Sequence, residues 1–188
     1  MTMILFLIQI IGTLFCAALL LGAWFYYLRI PAFNPLIANV TQFTSWLVVP
    51  LRKILPVTRR IDTASLLAAY ITCVLQLLLA LFIVLGSQAQ ALLSYLPFEG
   101  LLVLAKNALN LLFWLTLFYA ILSWINPMSP AITLFKALLE PILTPIRNLP
   151  LLNRMQGIDL SPMVVAIVCQ VLLAGLKGIE SPLVKAFI

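Results

Sequence analysis

Residues 3–28 read MILFLIQIIGTLFCAALLLGAWFYYL, a stretch without one charged side chain. About 20 apolar residues suffice to cross the hydrocarbon of a bilayer, so this segment is expected to span a membrane. It closes on Trp24, Phe25, Tyr26 and Tyr27, the residue types that gather at a membrane–water boundary, and Arg29 follows. A cleaved signal peptide needs a basic segment ahead of a short apolar one. Nothing basic precedes Arg29, so the span is expected to be retained. Ala18 and Gly22 form a small-xxx-small pair, which suits either a close helix neighbour or a lipid-facing surface.

Three further spans follow. The second covers 62–87 and contains SLLAAYITCVLQLLLALFIVL at 65–85. The third covers 101–125 and carries Trp114, Phe118, Tyr119 and Trp124 toward its end. The fourth, 160–177, is shorter, and Gly175 and Gly178 are expected to let it fray. The whole composition agrees: 64% of residues are hydrophobic and 9% charged, where a soluble domain has about 45–50% and about 25%. The fold class expected is an all-α membrane protein with four transmembrane helices.

The connections are informative. Residues 88–100 make a short link with one acid, Glu99. The stretches 35–55 and 131–149 are longer and patterned. In the first, apolar residues fall at 36, 37, 40, 43, 47, 51 and 54, with Asn39, Gln42, Ser45 and Lys53 on another face. In the second, Thr133, Lys136, Glu140, Thr144 and Arg147 form one polar stripe on an apolar helix. Such helices lie in the membrane interface. Pro50, Pro141 and Pro145 are expected to kink or split them, because proline removes a hydrogen bond and clashes with the preceding turn. Broken pieces that dip into the bilayer are the other reading.

The two halves of the chain echo each other, which predicts a first repeat at 1–88 and a second at 100–188. PLRKILP at 50–56 answers PIRNLP at 145–150, and Asp62 answers Asp159. Two spans in each half imply a parallel repeat about an axis along the membrane normal. Arg29, Arg52, Lys53, Arg59, Arg60, Lys136, Arg147 and Arg154 flank the long connections, against Lys106, Lys177 and Lys185 opposite. The excess predicts cytoplasmic long connections and both termini outside.

Asp62 and Asp159 stand at the starts of the second and fourth spans. They fit helix caps, which accept backbone N–H bonds. The second reading, after capping, is a paired cation site at the repeat interface. Ser161-Pro162 reads as a cap followed by a first-turn proline. Arg52, Arg147, Arg60 and Arg154 fit contacts with lipid phosphates or ion pairs with those acids. Gln76 and Gln170 lie deep in their spans, where they would bond to a neighbouring helix or line a polar path. Lys106, near the start of the third span, is expected to snorkel to the interface. Lys136 and Glu140 are spaced for a helical ion pair.

Other chemistries are excluded by composition. The chain has no histidine, which removes the commonest acid–base group and metal ligand. Cys16, Cys73 and Cys169 sit singly in apolar runs and read as small core residues. No phosphate loop, zinc spacing or nucleophile elbow occurs. No catalytic residue, metal or cofactor is therefore expected. The net charge of +6 comes from basic residues scattered beside apolar runs, which marks membrane topology rather than nucleic-acid binding. The expected partners are the lipid bilayer, proteins meeting the cytoplasmic amphipathic segments, and further copies of the chain, since four spans leave little room for an internal pore.

The run EPILTPIRNLP at 140–150, with GIDLSP at 157–162, resembles the signature of the YggT family. The tandem layout resembles the two-copy proteobacterial form. The first copy departs from the pattern, with Ser45-Trp46 in place of Glu140-Pro141 and Thr63-Ala64-Ser65 in place of Leu160-Ser161-Pro162. The resemblance implies a small protein of the bacterial inner membrane. It links the chain to osmotic stress tolerance, potassium homeostasis or cell division; plastid relatives are linked to nucleoid distribution and assembly of a c-type cytochrome. Two functions follow as expectations: a non-catalytic assembly or organising factor, and a channel or transporter subunit handling potassium.

Overall fold

The computed structural model describes residues 2–30, 35–54, 61–126, 128–148 and 159–179. Among them the chain is all-helical: α1 (Thr2–Tyr27), α2 (Pro35–Ile54), α3 (Thr63–Leu85), a 3-10 helix (Gly86–Tyr95), α4 (Leu96–Ile125), α5 (Pro130–Arg147) and α6 (Ser161–Ile179). Four helices are long and apolar enough to cross a membrane, at Met3–Tyr27, Thr63–Leu85, Leu92–Ile125 and Ser161–Ile179. Met3, Ile4, Phe6, Leu7, Ile11 and Leu14 are all exposed on α1. So large a bare apolar face suits lipid rather than water.

The helices form two compact units, divided between Ala108 and Leu109 within α4. In the first, Cys16 and Leu19 of α1 pack with Ala64, Ala68, Ala69 and Cys73 of α3, Val48 of α2 and Val103 of α4. Small residues let α1 and α3 approach closely. Cys16 lies against Cys73, and Gln9 against Gln76. The numbers run oppositely, so the two helices are antiparallel. A Cβ on Gly12 would come within 2.5 Å of Gln76 Oε1, and one on Gly100 within 2.5 Å of Val74 Cγ2. A side chain at Gly100 would press on Val74, and one at Gly12 would force the end of the Gln76 side chain to move. Gly22 also meets a helix: its Cβ position is 4.0 Å from Thr44 of α2. In the second unit, Leu139 and Leu143 of α5 pack with Tyr119, Val165 and Cys169.

Several expectations need correction. The link 88–100 is helical throughout, and α4 begins at Leu96, before residue 101. Leu96 and Val103 bury in the first unit's core, which extends the helix past its apolar span. Glu99 is buried in the first turn of α4. Pro50, Pro141 and Pro145 do not split their helices, since α2 and α5 each run unbroken through them. An internal proline costs about 3 kcal/mol, whereas burying a leucine gains about 1.5–3 kcal/mol. Leu134, Leu138, Leu139 and Leu143 all bury on α5, enough to offset both of its prolines. α6 is helical through Gly175 and Gly178 to Ile179. Lys106 does not snorkel outward; it is 8% exposed, beside the buried Asn107.

Candidate functional site

Two arginine–aspartate pairs join the end of one helix to the start of the next. Arg52 lies in the last turn of α2 and Asp62 directly precedes α3. Arg52 Nη2 donates to Asp62 Oδ2 at 2.5 Å. The Ser65 hydroxyl donates to the same oxygen at 2.7 Å, and the Ser65 N–H donates to Oδ1 at 3.3 Å. The carboxylate thus faces a guanidinium with one oxygen and the open N–H end of α3 with the other. A carboxylate in that place satisfies a donor the helix leaves unpaired and meets the positive end of its dipole.

The second pair follows the same plan. Arg147 ends α5, and Asp159 stands two residues before Ser161. Arg147 Nε donates to Asp159 Oδ2 at 3.0 Å, and Nη2 donates to the same oxygen. The Ser161 N–H donates to Oδ1 at 3.0 Å. Ser161 is the first residue of α6 rather than its flanking cap, and Asp159 serves its N–H instead. Arg147 also reaches Glu140 Oε1 at 3.3 Å and the Tyr119 hydroxyl at 3.3 Å. Glu140 therefore turns to Arg147, seven residues on, rather than to Lys136.

Charge follows geometry. Burial pulls the Asp62 carboxyl upward, but the bonds from Arg52 and Ser65 outweigh it and hold it below the usual carboxylate range. Asp159 is likewise held low, with Arg147 and Ser161 outweighing burial. Burial works against the charge on Arg147, yet Asp159 and Tyr119 keep it above its ordinary value. The ionised form of both acids is thus favoured, and each carboxylate oxygen already meets a protein donor.

The remaining candidates separate. Gln76 is buried in α3; its Nε2 donates to the Gln9 carbonyl at 3.4 Å, while its Oε1 has no partner. Gln170 is exposed on α6 rather than buried. Arg60 and Arg154 lie outside the described residues, as do Arg59 and Lys185. No group of three or more metal-ligating side chains occurs among the described residues. Sequence reasoning missed Tyr119, which read only as part of an aromatic belt; its position near the end of a span was the available signal.

The CCB3/YggT family model matches residues 1–83 and 98–179. The chain belongs to that family. Each matched segment contains one of the two arginine–aspartate pairs. A Vibrio alginolyticus protein, described as uncharacterized and encoded in the proC 3' region, is 36% identical over 163 residues, covering 86% of each chain. The Escherichia coli K12 protein YggT, also described as uncharacterized, is 33% identical over 178 residues, covering 93% of this chain and 89% of its own. A Haemophilus influenzae protein is 35% identical over 148 residues, covering 78% of this chain and 76% of its own. No solved structure matches at a significant level.

Proposed function

We propose that this YggT-family protein is a non-catalytic organising factor of the bacterial inner membrane. In this reading α1–α3 and α4–α6 are two copies of one unit. In each, an amphipathic helix, α2 or α5, lies in the cytoplasmic interface and is clipped by its arginine–aspartate pair to the span that follows. Both termini face outward. The helices would recruit lipid or protein partners, in line with the osmotic or division roles that the family resemblance implies.

One observation carries the reading against a paired cation site. Asp62 and Asp159 each give one oxygen to an arginine and the other to a helix-start N–H. A cation would have to displace both, leaving a guanidinium next to a metal ion. Exposed apolar residues Phe43, Trp46 and Val49 on α2 offer a surface for docking. The ion-handling reading has one observation in its favour, the buried Gln76 Oε1 without a partner, which could meet a passing ion or water.

Photocrosslinking in cells separates the two. A photoreactive residue in place of Trp46 or Ala137 is expected to capture defined protein partners, and one in place of Ile11 on the lipid-facing side of α1 is not. Rubidium flux into proteoliposomes is expected to match empty vesicles. Flux that is present in the natural protein and lost in Asp62→Asn/Asp159→Asn would replace the organising reading with ion handling.

A further inference from the structure

Cys16 of α1 and Cys73 of α3 are 57 residues apart in sequence, yet their sulfurs lie 3.4 Å apart. Neither has any solvent-exposed surface, and both are free thiols. Asn107 of α4 donates from Nδ2 to Cys73 Sγ at 3.6 Å. The contact joins two antiparallel apolar helices at facing positions, with the Gln9–Gln76 bond one turn further along α3 and two turns back along α1. The chemistry of such a pair differs from that of a lone buried cysteine. The third thiol, Cys169, is that lone case: it is buried among Tyr119, Leu139, Leu143 and Val165 of the second unit.

We propose that Cys16 and Cys73 are an oxidation site, a thiol pair that peroxide converts to a disulfide stapling α1 to α3. Hydrogen peroxide is the oxidant class proposed, being small and uncharged and supplying the two-electron oxidation that a disulfide needs. One sulfur attacks a peroxide oxygen; the S–O bond forms, the O–O bond breaks, and the departing hydroxide leaves as water with the thiol proton. The second sulfur then attacks the sulfenic acid. The S–S bond forms, the S–O bond breaks, and a second water leaves. Two sulfurs are oxidised and two peroxide oxygens reduced, so two thiols and one peroxide give one disulfide and two waters. A covalent S–S bond is about 2.05 Å long, so the sulfurs close a short gap between positions already facing each other. Cys169 has no second thiol beside it and cannot complete the second step.

The test uses the full chain in liposomes, treated with hydrogen peroxide, then unfolded in detergent and labelled at thiols with a maleimide polymer. Three labels are expected before treatment and one after, with three restored by dithiothreitol. Mass spectrometry is expected to find one intramolecular linked peptide pair holding Cys16 and Cys73. Cys16→Ala is expected to yield no such linked pair. Protein unfolded in detergent before peroxide is expected to lose the selectivity for this pair. Retention of three labels, a link to Cys169, or links only between molecules would overturn the proposal.

Discussion

The two arginine–aspartate pairs share one plan, an Oδ2 on the arginine and an Oδ1 on a serine N–H, in different surroundings. In the first, the acid is enclosed and the base is open: Asp62 is 1% exposed and Arg52 44%. In the second, the acid is open and the base is held by company: Asp159 is 36% exposed, and Arg147 engages Glu140 and Tyr119 as well. A buried charge that loses its partner keeps the full cost of its desolvation. An exposed charge that loses its partner returns to water. The first pair is therefore brittle, because Arg52 is the charged partner of an enclosed acid that otherwise meets only Ser65. The second is a shared network in which each member matters less.

The largest effect should come from Arg52→Ala, which leaves the Asp62 carboxylate enclosed with only Ser65. Its cost is expected to be about 3 kcal/mol, against about 1 kcal/mol or less for Arg147→Ala. Chemical unfolding in detergent micelles, followed by tryptophan fluorescence, measures both. Equal losses would erase the contrast between the two pairs.

Acid should act next. Both carboxyls sit below their ordinary value in the folded protein. Their stabilisation is therefore complete above the unfolded value, about pH 3.9, and drains away as pH falls through the lowered folded value. Thermal midpoints below about pH 4 are expected to drop in the natural protein. Asp62→Asn should flatten that drop more than Asp159→Asn, since Asp62 is the enclosed acid. The reverse order would place the tighter acid in the second pair.

Ser65→Ala removes a hydroxyl bond to an enclosed carboxylate and is expected to cost about 1 kcal/mol. Tyr119→Phe removes one of several bonds to Arg147 and should cost about half that. The same unfolding curves report both. The smallest effect is salt. At about 1 M the screening length is about 3 Å, so the cost of Arg147→Ala should shrink while that of Arg52→Ala holds.

Hydropathy made the four spans legible because a bilayer demands long uncharged helices, and 3–28 or 65–85 can hardly be anything else. The acids at 62 and 159 were legible as caps because each stands just ahead of an apolar run, where a carboxylate meets unpaired N–H groups. Their arginine partners were legible only as one choice of two. A lysine or arginine near a span suits lipid phosphate as well as a carboxylate, and residues 10 or 12 apart carry no periodic signal across a helix break. Lys106 misled for a related reason. Nearness to a span's end predicts snorkelling, whereas the folded chain buries it.

The sequence by itself determined the helical class of this protein and its four helices long and apolar enough to cross a membrane. Those follow from local composition, which a bilayer reads directly. Tertiary structure alone decided which arginine meets which acid, that prolines 50, 141 and 145 sit inside unbroken helices, and that Cys16 faces Cys73. Each of these depends on how one helix turns against another. That rotation is set by the packing of small residues such as Gly12, Ala68 and Ala69, which no single segment specifies alone.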